Sequence, residues 1–203
     1  TELINTDFRP VPLRYYYFDS SQPNTILPLL TPNGILNKKY EENRTMSFEN
    51  VKKYFDEFGM GDRCVLQEHS SDTVEHAAQA IGCIPAQIAK TMSFLVEEKP
   101  IMIVMAGDAK VHNSKYKAFF HQKAAMIPWD QVEALTGHMQ GGVCPFAVNE
   151  GVEVYLDESL KRFETVFPAC GTGNSAIELT IAELEQCSGY KEWVDVCKGW
   201  EEA

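Results

Sequence analysis

The sequence predicts an α+β (mixed α/β) fold, with a mixed and mostly antiparallel sheet flanked by helices. Short β-rich runs and short amphipathic helical segments follow one another without strict β–α–β alternation. The two strongest β-rich runs, Lys90–Val96 and Ile101–Ala106, are joined by Glu97-Glu-Lys-Pro100, a hairpin connection that makes them antiparallel neighbours. The chain has 203 residues, 44% hydrophobic and 23% charged, which suits one medium-sized domain that buries its core without disulfides or a structural metal.

The elements follow from periodicity and end signals. Phe48, Val51, Phe55 and Phe58 recur at spacings of three and four from Ser47, and Gly59 stops the run. Cys64–Glu68 reads as a strand. Asp72-Thr-Val-Glu75 resembles a capping box for a helix whose face is Val74, Ala77, Ala78 and Ile81, ending at Gly82. Pro85 opens a short helix through Ala89. After the hairpin, Ser114–His121 reads as helix and Ala124–Pro128 as extended. Asp130 is expected to cap a helix through Leu135 that closes at Gly137. Val152–Leu156, Thr165–Ala169 and Ser175–Leu179 read as strands, with a helix near Glu158–Phe163 whose N-terminus is marked by Asp157-Glu158. Thr180-Ile-Ala-Glu183 is a full capping box for a last helix ending near Gly189.

Residues 1–45 differ in character. They hold five prolines, a Tyr15-Tyr16-Tyr17-Phe18 run and no sustained period. Their five bases and five acids cancel, so the net charge of −11 sits on residues 46–203. Residues 46–203 are therefore taken as the compact domain, with residues 1–45 as an extension. The sequence leaves open whether that extension is a native arm or foreign to the domain.

The acidity excludes a generally basic nucleic-acid binder; contact with nucleic acid requires a local patch. No apolar run approaches the roughly 18 residues that span a bilayer, and no basic segment precedes an apolar one at the start. The six cysteines form no Cys-x-x-Cys pair and lie among apolar residues, which reads as reduced thiols in a cytoplasmic protein. The five histidines show no ligand spacing, so no metal is expected.

Thr136-Gly-His-Met-Gln-Gly-Gly-Val-Cys-Pro-Phe146 is the most informative segment. Glycine lets backbone approach a ligand closely and lets successive N–H groups converge on an oxyanion or a water. A helix C-cap followed by an ordinary loop fits the same residues. Cys170-Gly-Thr-Gly-Asn-Ser-Ala176 formally fits a dinucleotide fingerprint. An extended run and a new helix cap follow it, too little chain for the rest of such a domain, so a loop lining a pocket is the better reading. Lys90 sits between apolar residues, as either a solvated lysine or a partly buried charge needing an anionic or carboxylate partner. Lys110–Lys123 carries Lys110, Lys115, Lys117 and Lys123, two histidines, three aromatics and no acid, whereas residues 150–203 hold 12 acids against four bases. The basic stretch fits phosphate contact or a solvated helix face beside a Tyr116, Phe119, Phe120 stripe. Cys144 and His138 allow a nucleophile–base pair, although buried structural cysteine is the commoner fate.

Four of these segments, in order, resemble the YbaK/ProX aminoacyl-tRNA deacylase family, the editing domain associated with prolyl-tRNA synthetase. They are Thr73-Val-Glu-His-Ala-Ala-Gln-Ala-Ile-Gly82, Gln87-Ile-Ala-Lys-Thr-Met-Ser-Phe94, Ile103-Val-Met-Ala-Gly-Asp108 and Leu135-Thr-Gly-His-Met-Gln-Gly-Gly-Val-Cys-Pro-Phe146. Cys170-Gly-Thr-Gly-Asn174 also fits. The resemblance covers residues from about 46 to 190.

The resemblance implies trans-editing: hydrolysis of the ester between a wrong amino acid and the 3′-terminal adenosine of a tRNA, without metal or other cofactor. By motif, Lys90 would bind the terminal ribose-phosphate. Backbone N–H groups around Gly141 and Gly142 would polarise the ester carbonyl or position water. Gly137, Val143 and Pro145 would shape the loop, and Gly171 and Asn174 would line the substrate pocket. The implied partners are a mischarged aminoacyl-tRNA, of tRNA-Pro type, and prolyl-tRNA synthetase. Thr91 stands where some branches carry Asn, and no His lies in Thr165–Asn174, which leaves the edited amino acid open between cysteine, alanine and others. A non-catalytic tRNA- or nucleotide-binding module is the alternative, a Cys144 hydrolase a third, and monomer and homodimer are both open.

Overall fold

The computed structural model describes residues 16–18, 26–28, 38–67 and 73–200. The chain divides into two compact units, Thr1–Glu42 and Asn43–Ala203. In the first, β1 (Tyr16–Phe18) and β2 (Ile26–Pro28) pair antiparallel.

Helix α1 (Lys38–Asp56) starts well before the expected Ser47, and the expected boundary before Met46 falls inside it. Its first turns are polar and carry an i,i+4 pair, Lys38–Glu42 at 3.6 Å, so hydrophobic period could not reveal them. The apolar stripe behaves as its spacing requires: Phe48, Val51 and Phe55 are buried. Strand β3 (Val65–Leu66) follows; the expected strand end at Glu68 and the cap at Asp72 lie outside the described residues. Helix α2 (Val74–Ile81) is capped by Thr73, whose side chain accepts from the His76 N–H, and closes at Gly82 with φ 85°.

The expected helix from Pro85 is one 3-10 turn, Pro85–Gln87, because β4 (Ile88–Val96) already begins at Ile88. Strands β4 and β5 (Lys99–Ala106) form the expected hairpin. Its two-residue loop, Glu97-Glu98, takes positive φ at both positions, the twist that a tight hairpin requires. Strand β5 is buried from Ile101 to Ala106, a continuous apolar run covered on both faces. The chain continues through β6 (Lys110–Val111) and α3 (Asn113–Phe120). Asp130 lies in a 3-10 turn, Trp129–Gln131, and provides no cap for the short α4 (Val132–Thr136).

Strand β7 (Glu153–Asp157) leads into a 3-10 segment, Glu158–Arg162. Buried Asp157 accepts from the N–H groups of Ser159 at 3.1 Å and Val196 at 3.0 Å, the helix-start role read from sequence plus a tie to the C-terminal segment. Strand β8 (Thr165–Pro168) follows. The expected strand over Ser175–Leu179 is two pieces, β9 (Ser175–Ala176) and β10 (Leu179–Thr180). Helix α5 (Ile181–Ser188) carries both halves of its capping box. Strands β11 (Glu192–Val194) and β12 (Cys197–Lys198) were not anticipated.

Six strands form the central sheet in the order β10-β8-β4-β5-β7-β11. It is mixed: β10/β8 and β4/β5 are antiparallel, whereas β8/β4, β5/β7 and β7/β11 are parallel. Pairs β12/β6 and β3/β9 are antiparallel. Among the described residues no helix is long and apolar enough to cross a membrane.

Candidate active site

The outer edge of β4 is paired in two places and open between them. Strand β8 pairs with it only at Ile88–Ala89. Further along, the Leu95 N–H donates to the Ala125 carbonyl at 2.8 Å and the Ile127 N–H to the Ser93 carbonyl at 3.2 Å. Backbone direction alternates along an antiparallel ladder, so the N–H and C=O of Thr91 face the same way as those of Ser93 and Leu95, into the gap. The Thr91 hydroxyl is also buried without a partner among the described residues.

A cavity of about 260 Å³ opens at this gap. Val74, Ala77 and Ile81 of α2 form one wall, Ile88 to Thr91 of β4 the floor, and Gly141 and Val143 the Gly-rich side; Phe167, Ala169, Ser175 and Ala176 close it. The α2 face read from sequence thus lines a cavity through Val74, Ala77 and Ile81, while Ala78 is buried. Lys90 is the one charged residue among the described residues lining it.

The half-buried Lys90 ammonium donates to the carbonyls of Gly107, at 2.9 Å, and Ala109. Burial, above all, lowers its pKa from the usual lysine value, with nearby charges as smaller influences. The accepting turn is itself fixed. A Cβ on Gly107 would lie 2.0 Å from the Pro85 carbonyl oxygen. Between the two acceptors, Asp108 receives both guanidinium arms of Arg162, at 2.6 and 3.1 Å. Arg162 was not singled out from sequence; a surface-type Lys161-Arg162 pair gives no local signal of a partner 54 positions away.

The two glycine loops meet behind the cavity. A Cβ on Gly142 would lie 2.2 Å from the Gly171 carbonyl oxygen, and one on Gly171 would lie 2.5 Å from the Ser47 carbonyl oxygen. Gly171 adopts φ 83°, and its carbonyl accepts from the Ser47 hydroxyl at 2.8 Å. These glycines are required where one stretch of backbone packs on another, a different use from the ligand approach expected from sequence. The Gly142 N–H donates to the Met139 carbonyl at 3.1 Å and is therefore already occupied. Gly141, with φ 83°, lines the cavity, and its N–H meets no acceptor among the described residues.

The remaining expected residues fall into two sets. Val143 lines the cavity, whereas Gly137, Pro145, Gly171 and Asn174 do not. Gly137 caps α4 in the left-handed conformation. The Asn174 side-chain amide donates to the Gln67 carbonyl at 2.6 Å and the Asn174 backbone carbonyl accepts from the Gln67 N–H at 2.7 Å, so Asn174 secures the end of β3. Ser175, overlooked in the sequence, holds the loop by accepting from the Cys170 and Thr172 N–H groups and donating to the Thr172 carbonyl.

Cys144 and His138 do come together, with Sγ 3.6 Å from Nε2. Both are buried away from the cavity. Burial pushes the thiol up to about 12 and lowers the imidazole, leaving a neutral pair whose Nε2 instead bonds the Phe146 carbonyl at 2.8 Å. The pair is structural and the cysteine-hydrolase reading falls.

In the basic stretch, Lys110, Lys117 and Lys123 are exposed. Lys115 binds Asp195 at 2.8 Å and the Cys197 carbonyl at 3.1 Å, which ties α3 to the C-terminal strands. Among the described residues no group of three or more His, Cys, Asp or Glu is placed to hold a metal. Among the described residues, the cavity lining includes no carboxylate, histidine or cysteine. It offers one ammonium, unpaired backbone groups, the hydroxyls of Thr73, Thr91 and Ser175, and apolar side chains, a set suited to positioning and electrostatics.

Residues 68–187 match the aminoacyl-tRNA editing domain family. The Bacillus subtilis (strain 168) protein YwhH, itself uncharacterized, is 50% identical over 157 residues, covering 77% of this chain and all of the relative. A candidate Cys-tRNA(Pro)/Cys-tRNA(Cys) deacylase of Enterococcus faecalis (strain ATCC 700802 / V583), EbsC, is 24% identical over 144 residues, covering 70% of this chain and 87% of that protein. Among solved structures, a candidate trans-editing enzyme for prolyl tRNA synthetase superposes with a TM-score of 0.69 at 28% identity, covering 75% of this chain and 98% of the other.

Proposed function

This chain belongs to the aminoacyl-tRNA editing domain family, and from that premise we propose that it is a trans-acting deacylase, removing a wrong amino acid from the 3′ end of a tRNA of tRNA-Pro type. The observation that carries the reading is the cavity at the open β4 edge: one ammonium, free backbone groups, the hydroxyls of Thr73, Thr91 and Ser175 and an apolar wall, with no carboxylate, histidine or cysteine among the described residues that line it. Two of the three Lys90 donors hold the Gly107–Ala109 turn, and the third is available to a ribose or phosphate oxygen. The Gly141 N–H and the Thr91 backbone orient the ester. Water adds to the ester carbonyl, its proton passes through a substrate hydroxyl to the ribose oxygen, and the acyl C–O bond breaks to give free amino acid and free tRNA.

Ala77, Ala89, Ala169 and Ala176 leave room for a small uncharged side chain, such as that of alanine or cysteine. Prolyl-tRNA synthetase is the proposed partner, as the source of the mischarged tRNA. The test is single-turnover deacylation of a panel of mischarged tRNA-Pro species against a no-enzyme control. Acceleration restricted to small uncharged amino acids is expected. Hydrolysis of none, with tRNA still bound, would establish the non-catalytic binding module instead.

A further inference from the structure

Trp129 is 68% exposed and Met126 60%, the two most exposed large apolar side chains among the described residues. Met126 lies on the segment bridged to β4, and Trp129 opens the 3-10 turn that follows it. The Trp129 carbonyl accepts from the Gln140 side chain at 2.6 Å, and Gln140 adjoins Gly141 in the cavity wall. Met126 bridges to Phe94, beyond the gap in the β4 edge. Upstream, Lys123 and Lys117 line a groove with Asn113 and Ser114, and neither lysine forms an ion pair among the described residues. No acid occurs from Ala109 to Trp129, in a chain of net charge −11; Asp130 ends that stretch.

We infer that this strip, from Trp129 through Met126 to Lys123 and Lys117, seats the short unpaired 3′ tail of the RNA whose terminal ester enters the cavity. Exposed aromatic faces stack unpaired bases without sequence preference, and lysines beside them track phosphates. The spacing fits. The six residue steps from Lys123 to Trp129 reach at most about 20 Å, room for a few stacked nucleotides at roughly 3.4 Å each. Gln140, the neighbour of Gly141 in the cavity wall, holds the Trp129 backbone carbonyl, so this end of the strip adjoins the cavity, the place for a base next to the acylated nucleotide. The assignment of which RNA end lies there rests on the deacylase reading; recognition of an unpaired tail does not.

Binding of an uncharged RNA hairpin carrying an unpaired 3′ tail is compared with the same hairpin made blunt, by fluorescence anisotropy over a range of salt concentrations. The tailed RNA should bind more tightly. Trp129→Ala should remove roughly tenfold of the tail-dependent affinity, with Trp129→Phe restoring most of it. Lys117→Gln with Lys123→Gln should lower the slope of log affinity against log salt by about one to two. Equal binding of tailed and blunt RNA, or Trp129→Ala binding like the parent, overturns the proposal. So does a change of oligomeric state in Trp129→Ala with RNA binding intact, since the strip would then be a protein interface. Tail binding through Trp129 in a protein that hydrolyses no mischarged tRNA would support this inference and sink the deacylase reading alone.

Discussion

The Lys90 ammonium donates to the Gly107 carbonyl at 2.9 Å, joining the floor of the cavity to a turn that Arg162 clamps through Asp108. The lysine therefore has a structural and a chemical task. Lys90→Met keeps the aliphatic stem and removes both. Deacylation should fall by at least about 100-fold, because positioning and charge at the ester are lost together. Leaving two carbonyls without their charged donor should also cost about 1–3 kcal/mol, a melting temperature lower by several degrees. Single-turnover rates and thermal melts read the two effects separately; a variant that hydrolyses at the parent rate would remove Lys90 from the chemistry.

Gly142 and Gly141 are neighbours with opposite demands. Alanine at 142 would put its Cβ 2.2 Å from the Gly171 carbonyl oxygen, so the two loops must part. Alanine at 141 meets nothing within 4 Å and only strains a φ of 83°. Gly142→Ala should lose about 1–3 kcal/mol together with most of its turnover, since the loop it displaces carries Gly141. Gly141→Ala should cost roughly 1 kcal/mol. Denaturant melts on the two variants check the order, and equal destabilisation would refute the close-approach argument.

Cys144→Ala should keep its rate within a few-fold of the parent. The thiol is buried and pushed up to about 12, so it supplies no thiolate at neutral pH. Alkylation by iodoacetamide should be slow at this position, as followed by mass spectrometry of digested protein. Loss of all turnover in a folded Cys144→Ala protein would return the thiol to the mechanism.

What the sequence revealed divides along a physical line. Local codes were readable: the Thr180 capping box, the β4–β5 hairpin, the α1 stripe of Phe48, Val51 and Phe55, and the left-handed cap at Gly137 all act over a few residues. Lys90 was identified as a buried-charge candidate because its apolar flanks are local too. Relations across the chain were not readable. Gly142 touches Gly171, Lys115 pairs with Asp195, and Arg162 clamps Asp108, and no spacing encodes such meetings. Strands β11 and β12 are short and depend on partners at β7 and β6 for their form, so they carry little period of their own. The start of α1 was missed for the converse reason: its first turns are mostly polar in sequence and carry no hydrophobic period.

Glu183 supplies a dependence of stability on acid. Its carboxylate receives both arms of Arg63, at 2.7 and 3.1 Å, and accepts from the Thr180 N–H at 2.8 Å. The Arg63 guanidinium, first, and the Thr180 N–H, second, hold its pKa down to about 2 from an ordinary 4.5. The folded state thus binds this proton less readily than the unfolded chain. The stabilisation is complete above about pH 4.5 and drains away as pH falls toward 2. Because both partners are partly solvated, the contribution is discounted to about 1–2 kcal/mol. Glu183→Gln should melt about 2–8 °C lower at pH 7, and its deficit should shrink as pH falls from 4.5 to 2, where the parent carboxyl is itself protonated. Melting curves taken across that range decide it: two lines that stay parallel would mean that the Arg63 pair contributes nothing to acid stability.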